Sequence, residues 1–267
     1  MPIVLAPGDA GAATLGITGL QPGRYHASLG TSGWIASVRP AQQTAAPDGA
    51  SHRLALAGGT ELHISAVLAA GAAAAWARDA YLGGAEAESA DQVLEARERE
   101  HGRGPTGLLV LPSLGGERFP VRDDTLRGAV LGIDASTGPA DLYAATLEGV
   151  ALALSHALDP ADAGRVLPVV GGGAASASWR RIFADVTGRP VLLAEGTDAT
   201  LLGAALAGAE ALSLDHRIVP LAEQGGEVTE PDVSAAAAYA ALRPTHRRLY
   251  EMVAAMAPER RRLRQAM

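Results

Sequence analysis

The sequence contains no cysteine, no lysine and no asparagine, and aromatic residues make up only 4% of its 267 residues. Each absence removes some chemistry. Without cysteine there is no thiolate nucleophile, no zinc–thiolate cluster and no disulfide, which accords with a reducing compartment; the cytoplasm is the expected location. Without lysine there is no P-loop lysine, no protein-kinase strand lysine and no Schiff base for pyridoxal phosphate. A phosphate site must therefore be built from backbone donors. All 22 basic residues are arginines, and the formal net charge is −7. With no basic stripe interleaved with aromatics, nucleic acid is not an expected partner. The longest run of low polarity, Ile64 to Ala77, is alanine-rich, contains Gly71 and is too short to span a bilayer, so no membrane role is expected. The histidines are scattered with no i,i+4 pair, and no metal site is expected of them.

What is present is a chain 48% hydrophobic, enough to bury a sizeable core. Short β-branched runs alternate with Ala/Leu-rich periodic stretches, the α/β pattern. Strands are predicted at 2–6, 24–29, 34–38, 53–57, 60–63, 107–112, 166–170 and 190–194. Helices are predicted over 65–82 (apolar on nearly every side), 90–101 (exposed), 139–158, 176–186, 198–211 and 235–264. Thr137 precedes Pro139 as a candidate cap. The segment 84–105 reads as a charged insert, residues 113–126 as a long loop, and Arg260 to Arg264 as a solvated helix end.

Two loops near the start look like phosphate chemistry. Gly8-Asp9 closes the first apolar run, and Gly30-Thr31-Ser32-Gly33 closes the second. A carboxylate on one loop and a glycine-hydroxyl loop on the next would aim a base and several N–H donors into one cleft, as phosphoryl transfer requires. Each feature also has a plain structural reading: Asp9 as a helix cap, residues 30–33 as a hairpin turn. Ser32 does not fit a hydrolase nucleophile, because the elbow needs G-x-S-x-G and Trp34 follows Gly33 directly. A third landmark, Gly171-Gly172-Gly173-Ala174, joins a strand to a helix, where glycines allow close ligand approach and the helix start favours anions. Glu117 with Arg118 reads as an ion-paired loop anchor, Glu148 as a group satisfying neighbouring backbone or arginine, and Trp34, Trp76 and Trp179 as packing residues.

The run Val169-Val170-Gly171-Gly172-Gly173-Ala174-Ala175-Ser176-Ala177-Ser178-Trp179-Arg180-Arg181 through Val191 resembles the adenosine-motif region of the FGGY carbohydrate kinases, nearest to the xylulokinases. The resemblance continues through Leu111-Pro112, Gly116-Glu117-Arg118, Pro120, Arg127-Gly128, Leu147 to Ala151 and Leu202 to Ala205. Upstream, Gly8-Asp9-Ala10-Gly11 is similar to the family's catalytic-aspartate motif, and Ser28 to Gly33 to its second phosphate motif. Ala70-Gly71-Ala72 leading to Trp76 is similar to its nucleotide-contacting helix, and the last helix to its closing helix.

This resemblance implies the actin/Hsp70/hexokinase-like ATPase architecture, a ribonuclease-H-like domain with a mixed sheet flanked by helices, acting on ATP with Mg²⁺. It implies that Asp9 is the general base, with Gly8 beside it. Gly30, Thr31, Ser32 and Gly33 would hold the β- and γ-phosphates, Gly71 would admit ribose or phosphate past a helix or serve close packing, and Gly172, Gly173 and Ala174 would line the adenosine. No residue is implied as a direct metal ligand. The family's Asp-x-Gly-Thr loop is not found here, since Asp134 in Gly132-Ile133-Asp134-Ala135 lacks the following glycine. The expectation is therefore one C-terminal-type kinase domain over 1–267, with 1–23 as the junction and 229–267 as the closing segment. A separate N-terminal kinase domain or a second copy would be its partner, and a ketopentose or related polyol its substrate. The alternative is a non-catalytic nucleotide-binding or partner-binding remnant.

Overall fold

The structure, a computed structural model, describes residues 3–41, 51–196 and 198–256. Seven strands form one mixed sheet: β1 (Tyr25–Leu29), β2 (Gly33–Pro40), β3 (His52–Ala55), β4 (Thr60–Val67), β7 (Leu167–Val170), β8 (Val191–Leu193) and β9 (Val228–Thr229), in the order β3-β4-β2-β1-β7-β8-β9. The β1–β2 and β2–β4 pairs are antiparallel, whereas β1–β7 and β7–β8 are parallel. A separate two-stranded ribbon joins β5 (Leu109–Leu111) and β6 (Ala129–Leu131).

Period-2 alternation divides the sheet's side chains between two cores. On one face Tyr25, Ala27, Leu29, Ile35 and Val67 meet α2 (Gly71–Tyr81), α4 (Pro139–Ser155) and α5 (Ala177–Thr187) in the main core. The central helix here is α4, buried at every residue from Tyr143 to Ser155. Two further helices, α3 (Ala87–His101) and α7 (Val233–Ala255), pack outside this layer. On the opposite face Ala36, Val38 and Leu62 meet Ala10 and Leu20. That face is covered by α1 (Asp9–Thr18) and α6 (Ala199–Ala211). These two helices touch backbone to backbone: a Cβ on Gly16 would lie 1.9 Å from the Ala199 carbonyl oxygen, and one on Gly203 1.8 Å from that of Ala12.

Several elements differ from the sequence reading. Residues 3–6 form no strand, and Ile3 and Leu5 are 88% and 92% exposed; no strand among the described residues pairs with the run. Pro2 and the arginine-rich end from residue 257 lie outside the described residues. Ser65 to Val67 extend β4 rather than opening a helix, because they complete its register with β2 (Ile35↔Ser65, Gly33↔Val67). The next helix starts at Gly71. Gly138, not Thr137, precedes the first turn of α4; its N–H donates to Asp141 at 3.0 Å, while Thr137 Oγ1 belongs to the Asp134 turn. The helix expected to be exposed, α3, buries Ala90 and Leu94, and its flank is tied inward by Arg97–Asp141 and Arg181–Glu98 ion pairs of 2.8 and 2.9 Å. Strands β6 and β9 were not foreseen.

Candidate functional site

Parallel pairing of β1 with β7, Ala27↔Val169 and Ser28↔Val170, carries both strands to the same edge of the sheet. The hairpin loop after β1 and the glycine triplet after β7 therefore emerge side by side. Gly171 takes φ +98° there, and a Cβ on it would lie 2.8 Å from the Leu29 carbonyl carbon and oxygen, so only glycine fits. A cleft of about 570 Å³ opens beside this junction. Gly30, Thr31, Gly71, Gly172 and Gly173 line it, together with Arg78, Asp91, Tyr143, Ser176 and Trp179.

The hairpin and α2 are fastened directly to each other. The carbonyl of Gly30 accepts from Gly71 N–H at 2.8 Å, and that of Thr31 from Ala70 and Ala72 N–H at 3.0 and 3.1 Å. The first amides of α2 are thus already used, and that helix start is not a free anion site. A Cβ on Gly71 would lie 2.7 Å from the Gly30 oxygen, so Gly71 both lines the cleft and permits this close packing.

Across the cleft, the triplet is held by the helix that follows it. Ser176 Oγ accepts from Trp179 N–H at 3.0 Å as the N-cap of α5. Arg180, 4% exposed, donates to the Ala174 and Ala175 carbonyls at 2.7 and 3.1 Å and pairs with Glu227 at 2.7 Å. Gly172 has nothing within 4 Å of its missing Cβ: the space in front of it is open.

Five of the ten residues expected at the site line this cleft and five do not. Ser32 is exposed at the hairpin tip. Gly33 is buried, its missing Cβ facing Ala70 and Leu154, which is a packing position. Ala174 is fully buried in the main core and turns only its carbonyl to Arg180. Gly8 caps α1, its carbonyl accepting from Ala12 N–H, and Asp9 is the first helical residue. Asp9 is exposed, accepts from Ala10 N–H at 2.7 Å, and begins the helix that covers the opposite face of the sheet. The hairpin and the triplet converge as expected; residues 8–9 do not join them.

Two carboxylates read from the sequence as structural, Glu117 as an ion-paired anchor and Glu148 as a partner for neighbouring groups, are buried. Glu117 accepts from Leu68 N–H, Ser113 Oγ and Arg118 N–H at 2.9, 2.7 and 2.9 Å and forms no ion pair among the described residues, and burial raises its pKa. Glu148 accepts from the Thr106 amide and hydroxyl, and burial pushes it up to about 7. Trp179 both packs and lines the cleft, whereas Trp76 is 44% exposed. Arg78, Asp91 and Arg180 were not singled out from the sequence. The i,i+4 spacing of Ala90 and Leu94 could have shown that α3 packs, but not what Asp91 would face.

Residues 26–212 match the FGGY family of carbohydrate kinases, C-terminal domain. The chain belongs to the FGGY family. Its fold is accordingly the actin/hexokinase-like ATPase fold. It is 31% identical over 261 residues to the xylulose kinase of Escherichia coli K12, covering 95% of this chain and 53% of that protein. It is 30% identical over 247 residues to a glycerol kinase of Xanthobacter autotrophicus, covering 82% and 48%. The crystal structure of a xylulose kinase from Rhodospirillum rubrum superposes with a TM-score of 0.73 at 27% identity, over 92% of this chain and 50% of that one. The chain therefore spans about half the length of the FGGY relatives it matches.

Proposed function

We propose that this chain supplies the nucleotide-binding half of an ATP-dependent sugar kinase in the cytoplasm, with a ketopentose such as D-xylulose, or a related polyol, as acceptor. The observation that carries this reading is the meeting of hairpin and glycine triplet in one cleft of about 570 Å³. Gly172 leaves room for the adenosine, Gly173 lets the Trp179 ring close in as part of the cleft wall beside it, and Gly30 with the Thr31 amide and hydroxyl face the phosphates. Ser32 and Gly33 fix the turn that presents them. The donors proposed to face the phosphates are amides and a hydroxyl, so a Mg²⁺ would be carried by the phosphates and water and would supply charge neutralisation.

Asp9 fits the role of general base through its exposed carboxylate, which would face a sugar held by a separate N-terminal domain or a second copy. Exposed Ile3 and Leu5 offer such a partner apolar surface beside it. A second reading, a non-catalytic nucleotide-binding or partner-binding remnant, is favoured by one observation: Asp9 lies off the cleft and is occupied by the Ala10 amide. Calorimetry and turnover separate the two. The chain alone should bind Mg-ATP weakly and phosphorylate xylulose negligibly, because the acceptor is not held in line. With an N-terminal kinase domain added in trans, turnover should appear, and Asp9→Asn should lower it by about 10²–10⁴-fold while ATP affinity stays within about twofold. Full turnover by the Asn variant would make Asp9 a helix-start residue only. Absence of ATP binding would overturn the kinase reading and leave the partner-binding remnant.

A further inference from the structure

Beyond Ile35, the sheet face that carries the main core turns polar. The pairs across β2 and β4 there are Ile35↔Ser65, Ser37↔His63 and Arg39↔Glu61, and α4 stops at Ser155. A cavity of about 300 Å³ lies past its end, within the size range of small-molecule sites. Ser37, Arg39, His63 and Ser65 line it from the sheet, and His156 and Asp159 line it from the chain just after α4. It shares no lining residue with the glycine-lined cleft.

The two imidazoles are oriented from behind. Glu61, 7% exposed, accepts from Arg53 Nε and Nη2 at 3.1 and 2.8 Å and from His63 Nε2 at 2.7 Å, so the carboxylate keeps the His63 proton on Nε2. The Val110 carbonyl does the same for His156 at one remove. It accepts from His246 Nε2 at 3.1 Å, which leaves His246 Nδ1 to accept from His156 Nε2 at 3.2 Å. Burial holds both of these rings neutral, lowering His246 to about 4 and His156 to about 3. Nδ1 of His156, and Nδ1 of His63 in its neutral form, is then an acceptor with no partner among the described residues. Arg39 gives only its Nε, to Ser37 Oγ at 3.2 Å, and its two Nη groups have no partner among the described residues.

One cavity thus offers unmet acceptors and unmet donors, with one cation, Arg39, and one carboxylate, Asp159, on its wall. A hydroxyl donates and accepts at once, and a neutral molecule suits a wall whose charges cancel. We propose that this cavity is a second small-molecule site, separate from the nucleotide cleft, which takes a short neutral polyol: its hydroxyls donate to Nδ1 of His63 and His156 and accept from Arg39. Helix α4 joins the two sites. Leu147 lines the cleft, and His156 lies about 14 Å further along the helix axis.

Titration calorimetry of the whole chain with xylitol as the probe, alongside the histidine Cε1–H resonances, tests this. Wild type should bind one xylitol, and the resonances of His63 and His156 should move while that of His26, sealed beneath α1, stays. His63→Phe and Arg39→Met should each weaken binding by about tenfold, the loss of one hydrogen bond to a fixed partner. Thermal melting checks that both variants fold; should either fail, the wild-type resonances decide. D-xylonate, of the same length, should bind no more tightly than xylitol, and tighter binding would overturn the neutral class of ligand. No response to xylitol, wild-type affinity in both variants, or binding that leaves His63 and His156 unmoved would overturn the site.

Discussion

The two faces of the sheet use the same residue type for opposite ends. On the α1–α6 face, Gly16 and Gly203 remove side chains so that two helix backbones can meet, and no space is left. On the α2–α5 face, Gly71 and Gly171 also permit close approach, but around them Gly172 and the hairpin leave a cleft open. A glycine's surroundings, more than its presence, separate a packing device from a binding one. Each face also holds a buried titratable group. His26, between sheet and α1, has both ring nitrogens unpartnered among the described residues and is held down to about 3 by burial. Glu148 on α4 is pushed up to about 7.

The contrast can be broken most forcefully on the closed face. Gly203→Ala places a methyl where only 1.8 Å separates it from the Ala12 oxygen, so the helices must part. The expected loss is at or beyond the upper end of the ~1–3 kcal/mol typical of overpacking, read as a large fall in urea midpoint or as failure to fold. An unchanged midpoint would mean that the α1–α6 contact is not as tight as described.

Next in size is the dependence of stability on pH. Glu148 binds its proton more tightly folded than unfolded, so stability falls as pH rises from about 4.5 to 7, by about 3 kcal/mol in full. His26 works the other way: its folded value is depressed, so its contribution is present above about 6.5 and is lost as pH falls toward 3. Melting curves across pH should show Glu148→Gln removing the fall in stability between about 4.5 and 7 and leaving the slope below about 4.5 as it was. A variant with the wild-type slope between 4.5 and 7 would show that Glu148 does not titrate in this window.

The smallest effect belongs to the open face. Gly172→Ala meets nothing within 4 Å, so the melting temperature should move by less than about 2 °C, while ATP affinity falls by about tenfold because the methyl occupies the cleft. A fall in stability with affinity intact would reassign Gly172 to packing.

Much of the cleft was legible in the sequence, because its two loops carry turn residues at the ends of buried strands. Gly30 to Gly33 must reverse the chain between Leu29 and Trp34, and Gly171 turns the chain at the end of β7 with φ +98°; turn chemistry requires both. What escaped depends on partners distant in sequence. Ile3-Val4-Leu5 has the apolarity of a strand, and nothing in the run itself reveals that no strand among the described residues pairs with it. Ser65 to Val67 join a strand because β2 is there to pair with them, which overrides the helical look of the alanine-rich stretch that follows. Asp91 sits in a helix whose charge suggested solvent, and its place on the cleft depends on Ser176, 85 positions away. Ala174 and Gly33 stand within functional-looking motifs, yet their burial follows from the direction of the chain at that point.

The carbonyls of Gly30 and Thr31 anchor the first turn of α2, and Arg78 projects from the same helix two turns on. At 1.5 Å per residue, the span from Gly71 to Arg78 is about 10 Å. Hairpin and arginine are therefore fixed to one rigid rod, which works as a gauge of length: a molecule that touches both must bridge that interval. A bare nucleobase or a free phosphate reaches one end only. If the cleft holds a nucleotide as proposed, the binding advantage of the intact molecule over its pieces would be set by the number of helical residues between two contacts, a dimension that would change by whole increments if a residue were inserted into α2.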